Sequence, residues 1–397
     1  MLLNTLCAHT CNSFPKNLFY FLKHGLIVQR LLGKKPNCSG HAHVSTKPSS
    51  VDWIKQGRTI HQNLNDNRSS NNSVCPQPLI RSFHRETVIN GQEDDGSGGR
   101  QTSAEGLTLH NLTHRSLVCV EGPDSVNFLQ GLLTNDVNLL GSDRPVQYSM
   151  MLNAQGRVLY DLILYLKDSK IFIECDAQVR DEFIKTIKKY KIRKKVEINK
   201  VDGEWMLQAV VTSSLKGNSA SPTWNESVFC VTDPRVKDFG WRLIHHSSCD
   251  KVCAERIEEK DVSLYNERRY IWGISEGISD LPPGECLPLE SNLTLFNGVS
   301  FDKGCYIGQE LTARTQHTGV TRKRLMPLVF ERVPSGLQPG CIIVRADGKN
   351  VGKYRSSFGI HGIGLIRIAE IKGELSVHSS DGDILKLTTH VPNWWPK

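Results

Sequence analysis

Three apolar runs at residues 147–152, 158–166 and 170–175 follow one another with only Asn153-Ala-Gln-Gly156 and Lys167-Asp-Ser169 between them. Polar connections this short join antiparallel strands, because a parallel pair needs a crossover of about a dozen residues or more. The spacing therefore predicts a meander. Its flanks alternate in type. Residues 117–120 read as a strand, and Gly122-Pro-Asp124 opens a helix with Pro in its first turn and Val126, Leu129, Leu132 and Leu133 on one face. After the meander, Asp176 caps a second helix carrying Val179, Phe183, Ile184, Ile187 and Tyr190, and a strand follows at 195–199. This order predicts an α+β body rather than a doubly wound parallel sheet. Neither a dinucleotide fingerprint nor a phosphate loop accompanies it, and Gly96-Ser-Gly-Gly99 is a weak match in a polar stretch.

Further along, residues 250–272 read as helix-rich, with Tyr265, Arg269 and Trp272 at helical spacing. Five short strands then follow at 325–330, 341–345, 351–357, 362–368 and 374–377, separated by Gly, Pro and Asp-Gly turns. They predict a small C-terminal β-barrel over residues 323–397.

The net charge of +8 suggests a nucleic-acid partner until it is divided along the chain. Residues 1–50 hold six Lys or Arg and no acid, 51–105 hold six against seven, and 106–397 hold 37 against 34. A body so near neutrality argues against nucleic acid. Ahead of Asp52, Lys16, Lys23, Arg30, Lys34 and Lys35 interleave with Leu18, Phe19, Phe21, Leu22, Leu26 and Leu31. An acid-free, basic, amphipathic leader of this kind predicts a mitochondrial presequence over 1–50 and delivery to the matrix, with a secretory signal as the rival reading. Lys23, His24 and Arg30 break the apolar stretch, so no uncharged run approaches the ~20 residues of a membrane span. Residues 51–105 include Asn67-Arg-Ser-Ser-Asn-Asn-Ser73 and Glu93-Asp-Asp-Gly-Ser-Gly-Gly99. They hold too little apolar surface to offset ordering and predict a disordered linker.

Twelve cysteines in a chain of this length do not make a disulfide scaffold. Cys119 and Cys175 sit in apolar runs as small hydrophobes. Cys249 and Cys253, on the expected helix near His245 and His246, lack a second ligand pair and do not predict a metal site. Asp161 is the only charged residue of its run and shares a strand face with Ile163 and Tyr165. It predicts either a buried ion pair, with Arg157 as the nearest arginine, or a functional carboxylate.

Lys303-Gly-Cys-Tyr-Ile-Gly-Gln-Glu310 is sharper. Cys305 lies two residues after Lys303 and just ahead of an expected helix at 309–314. A nearby ammonium and a helix N-terminus both favour a thiolate, which can serve as nucleophile or soft-metal ligand. Gly304 and Gly308 permit close backbone approach. As a nucleophile Cys305 needs a base, and His317 is the nearest in sequence. As an iron-sulfur ligand it needs companions, since a cluster takes four ligands, and these would have to come from a partner. A Gly-flanked buried cysteine is the third reading.

The Lys303–Glu310 segment resembles the signature of the iron-sulfur-associated branch of the aminomethyltransferase-like, folate-binding family. Leu287-Pro-Leu-Glu-Ser-Asn-Leu293, Asn297-Gly-Val-Ser-Phe301 and Arg269-Tyr-Ile-Trp-Gly-Ile-Ser-Glu-Gly277 resemble its lead-in segments. Phe128-Leu-Gln-Gly-Leu-Leu-Thr-Asn-Asp136 and Leu152-Asn-Ala-Gln-Gly-Arg-Val-Leu-Tyr-Asp161 resemble first-domain motifs shared with the glycine-cleavage aminomethyltransferase. The resemblance implies two α+β modules around a folate pocket at 106–322, with the barrel at 323–397. It implies tetrahydrofolate bound near Asp161, Glu290 and Arg269. For the mitochondrial members that act late in making [4Fe-4S] clusters, it implies that Cys305, with Lys303 beside it, handles a [2Fe-2S] cluster shared with an A-type carrier on behalf of [4Fe-4S] client enzymes. A tetrahydrofolate-dependent one-carbon transferase is the alternative. Where the transferase has a Tyr-Thr-Gly-Glu-type substrate segment, this chain has Asp233-Pro-Arg-Val-Lys-Asp-Phe-Gly-Trp-Arg242, which speaks against aminomethyl transfer.

Overall fold

A computed structural model describes residues 103–201, 203–212 and 221–396. The expected presequence and nearly all of the expected linker lie outside the described residues.

The meander forms as β3 (Val146–Leu152), β4 (Val158–Lys167) and β5 (Lys170–Asp176), and β2 (Arg115–Glu121) and β6 (Glu197–Lys200) extend it in the order β3-β4-β5-β2-β6. All of its pairings are antiparallel. One face carries Met151, Leu162, Leu164, Ile171 and Ile173 and packs under helices α1 (Ser125–Gln130) and α2 (Arg180–Lys189), through Phe128, Leu129, Phe183 and Ile187. Because the other face is also covered, β4 reads as a near-continuous apolar run rather than an alternation. Two helix details differ from the periodicity: Val126 (37%) and Tyr190 (45%) are exposed, and Asp176 caps a 3-10 turn ahead of α2 by accepting from Gln178 N.

The second sheet comprises β1 (Ser103–Asn111), β7 (Trp205–Thr212), β8 (Phe229–Thr232), β9 (Gly240–His246) and β10 (Arg256–Glu259), in the order β10-β1-β7-β9-β8. β1 begins a few residues inside the stretch read as linker. The inner face of this sheet meets the meander's second face in one core, where Tyr148, Met150, Ile163 and Phe172 join Leu207, Ala209 and Ile244. Residues 250–260 are not helical. β10 pairs in parallel with β1, and α3 (Val262–Ile271) starts only after Asp261 accepts from Ser263 N. Cys249 and Cys253 therefore sit in loop and edge structure. A charged four-residue strand held by a partner about 150 residues upstream leaves no local periodicity to read.

Beyond the short α4 (Gly277–Asp280) and α5 (Gln309–Thr318), strands β11 (Lys323–Phe330), β12 (Ile342–Arg345), β13 (Asn350–Phe358), β14 (His361–Arg367), β15 (Leu375–His378) and β16 (Ile384–Thr389) close into a barrel. The count is six rather than five. β16 pairs with both β15 and β11 and so removes the open edge. Among the described residues no helix is long and apolar enough to cross a membrane.

Candidate functional site

Cys305 is exposed, and the other described cysteines are buried or half-buried. Its loop is fixed from beneath by Lys303, whose ammonium donates to the carbonyls of Gln130 (2.8 Å), Leu133 (2.7 Å) and Asn135 (2.6 Å). These carbonyls belong to the C-terminal end of α1 and the turn that follows, where helix geometry leaves carbonyls without intrahelical donors. Lys303 Nζ also lies 5.2 Å from the centre of the Tyr306 ring, which is packed in the core. Burial pulls the Lys303 pKa down to about 8, so the ammonium remains the majority form at neutral pH. The lysine thus acts on backbone beneath the loop rather than on the thiol.

Ile307 N donates to Gly131 O (3.2 Å) and Tyr306 N to Gln309 Oε1 (3.1 Å), completing the attachment. Gly308 adopts φ 78°, and a Cβ there would meet Asn153 O at 2.3 Å. That is the close approach expected of it. Gly304 differs: a Cβ there would meet nothing within 4 Å. His317, exposed in the last turn of α5, stands eight residues beyond Gln309, ~12 Å along the axis from the end nearest Cys305.

Asp161 is 3% exposed and sits between the two sheets. Its partner is Arg115 (3.2 Å), not Arg157, whose Nη1 donates to Glu285 O. Arg115 is one end of a buried charge network. It pairs with Glu174 (2.8 Å); Arg242 pairs with Glu174 (2.9 Å), Asp233 (3.1 Å) and Glu276 (2.7 Å); Arg235 pairs with Asp233 (2.8 Å) and Glu276 (2.8 Å). Tyr165 and Tyr265 hydroxyls donate to Glu174 (2.6 Å) and Glu276 (2.8 Å). Burial alone would raise these carboxyls, but Arg235 and Arg242 reverse it, holding Asp233 at about 2 and Glu276 well below the usual carboxylate range. Burial likewise opposes the charge on Arg115, Arg235 and Arg242, yet their carboxylate partners push all three well above the ordinary arginine value.

The segment that departs from the transferase, 233–242, thus supplies three members of this network. Sequence reasoning missed Arg115, Glu174, Arg235, Arg242 and Glu276. One signal was available: Glu174 in β5 is, like Asp161 in β4, a carboxylate inside an apolar run.

The residues expected around folate do not converge. Arg269 is buried in an ion pair with Asp280, whose carboxyl burial lifts above its ordinary value even so. Glu290 borders a separate cleft beside the barrel. Asp161 retains company of another kind. Its Oδ1 accepts from Gly277 N (3.2 Å) and its Oδ2 lies 3.2 Å from Arg115 Nη2, whereas the buried Tyr148 hydroxyl on the same sheet face has no hydrogen-bond partner. Tyr148 also lines a cleft of about 390 Å³ together with Asp233 and Asn297. An unpartnered hydroxyl in a cleft wall suits a heterocycle edge that presents N–H and C=O groups, so Tyr148 fits a folate-type ligand.

Comparison with known proteins places this geometry. Residues 322–397 match the CAF17 C-terminal beta-barrel domain, and residues 100–212 match the GCVT N-terminal domain. The iron-sulfur cluster assembly factor IBA57, mitochondrial, of Homo sapiens is 41% identical over 317 residues, covering 75% of this chain and 88% of the human one. The IBA57 homolog of Mycosarcoma maydis is 31% identical over 348 residues, covering 72% and 85%. Among solved structures, the glycine cleavage system aminomethyltransferase T of Bartonella henselae superposes with a TM-score of 0.56 at 18% identity, covering 73% of this chain and 86% of its own, a likeness of fold.

Proposed function

The chain belongs to the family of the mitochondrial iron-sulfur cluster assembly factor IBA57, and on that premise we propose that it acts late in the assembly of [4Fe-4S] proteins in the mitochondrial matrix. In this reading Cys305 contributes one ligand to a [2Fe-2S] cluster held jointly with an A-type carrier, and the cluster is cargo on its way to [4Fe-4S] client enzymes. The observation that carries it is the exposure of Cys305 on a loop anchored by Lys303. Among the described residues no group of three or more His, Cys, Asp or Glu is arranged to hold a metal, so the remaining ligands of a cluster at Cys305 are sought on another chain. The test mixes the full chain with a cluster-loaded A-type carrier and records visible absorption. Wild type is expected to form a complex with altered cluster bands and Cys305→Ser is not. Unchanged complex formation and unchanged maturation of [4Fe-4S] clients in Cys305→Ser would refute the proposal.

The unpartnered Tyr148 hydroxyl, on the sheet face that carries Asp161, favours a second, compatible reading in which the chain binds tetrahydrofolate. Bound there, folate would supply a one-carbon carrier, and Asp161 would accept from its ring N–H groups. Calorimetry with tetrahydrofolate on wild type and Asp161→Asn separates the outcomes: no binding by wild type removes both folate retention and the one-carbon transferase alternative.

A further inference from the structure

A cleft of about 550 Å³ separates barrel strands β13 and β14 from the body segment that runs from α4 to Glu290. Neither Cys305 nor the Asp161 and Tyr148 face contributes to it. Its walls present Arg157, Lys323, Lys353, Arg355 and Arg367 against the carboxylates of Glu285 and Glu290.

The strand register concentrates this charge. Lys323 of β11 lies directly opposite Arg367 of β14, and Lys353 of β13 lies opposite Leu365, which shares a face with Arg367. Like charges directly opposite one another on a sheet are destabilising, so the arrangement costs stability unless something offsets it. Among the described residues Lys323, Lys353 and Arg367 pair with no acid. Arg355 is the more telling side chain. It is 93% buried, being only 7% exposed, and its Nε has no partner. Its Nη1 stands 3.6 Å from Glu285, an exposed carboxylate, and its Nη2 reaches only the Cys286 sulfur at 3.7 Å. A desolvated guanidinium with open donors is an oxyanion receptor in search of its anion.

Val351, Leu365 and Pro282 supply apolar wall, and the volume falls within the range of small-molecule pockets. We propose that this cleft binds a small organic molecule bearing two or more oxyanion groups, carboxylate or phosphate. Arg355 takes one group at the buried end, and Lys323, Lys353 and Arg367 take the other at the barrel wall.

The test is calorimetry on the full chain at low ionic strength, with citrate and inorganic pyrophosphate as separate probes and acetate as the monovalent control. Saturable binding of at least one probe is expected, about tenfold or more tighter than acetate and weakened by added salt. Preference for citrate identifies a polycarboxylate site and preference for pyrophosphate a phosphate site. Arg355→Gln is expected to weaken binding about tenfold or more. Should that variant fail to fold, Lys353→Gln combined with Arg367→Gln, both at exposed barrel positions, carries the same expectation. No saturable binding of either probe, or binding unchanged in the folded variants, overturns the proposal.

Discussion

Replacing Arg242 with Met should destabilise the body more than any other single change in the network between the sheets. Arg242 is 1% exposed and holds Glu174, Asp233 and Glu276 at once, with the Tyr265 hydroxyl 2.6 Å from its Nη2. Met preserves much of the volume and the apolar stem but removes the one cation that ties β9 to β5. Arg115 still holds Glu174, and Arg235 still holds Asp233 and Glu276, but two arginines then face the four buried carboxylates Asp161, Glu174, Asp233 and Glu276, so negative charge is left uncompensated. Breaking a buried pair by removing one partner costs about 3–5 kcal/mol, which for a protein of this size corresponds to a fall in Tm of roughly 6–15 °C. Arg242→Lys should fall between, because one ammonium cannot span three carboxylates. Thermal and urea unfolding at neutral pH measure the effect. A double variant that adds Glu276→Gln should lose less than the sum of the two single changes, since both act on one interaction. An Arg242→Met protein within ~1 kcal/mol of wild type would refute the claim that this network organises the interface.

The same network predicts acid lability. Asp233 titrates at about 2 in the folded chain against an unfolded value of about 3.9, so its contribution is fully present above about pH 4 and is lost as pH falls through 2. Glu276 is shifted in the same direction; the slope of stability against pH over that window should flatten in Asp233→Asn. Lys303→Met should cost ~2–4 kcal/mol, because three carbonyls lose a charged donor, and it should speed alkylation of Cys305 by loosening the loop; an unchanged alkylation rate would contradict the anchoring role. Gly308→Ala should destabilise by ~1–3 kcal/mol through positive φ and the contact with Asn153 O, whereas Gly304→Ala should stay within ~0.5 kcal/mol of wild type, both read by urea unfolding.

Much of this architecture was legible along the chain. The meander followed from three apolar runs and two short polar turns, and the barrel from closely spaced strands and their turn residues. The shared motifs carried the family, and Cys305 stood out by its setting. Each of these signals is short-range: periodicity, a turn or a contiguous motif constrains only residues close in sequence. What the tertiary structure decided is which distant groups meet. Asp161 found Arg115 rather than the nearby Arg157, Lys303 reached three backbone carbonyls, and β10 joined β1 from about 150 residues away. Segment 233–242, read in sequence only as a departure from the transferase, supplied two of the three arginines and one of the carboxylates of a buried network. A buried charge must find its counter-charge wherever packing places one, and two sheets closing face to face set that distance without leaving a trace in local sequence.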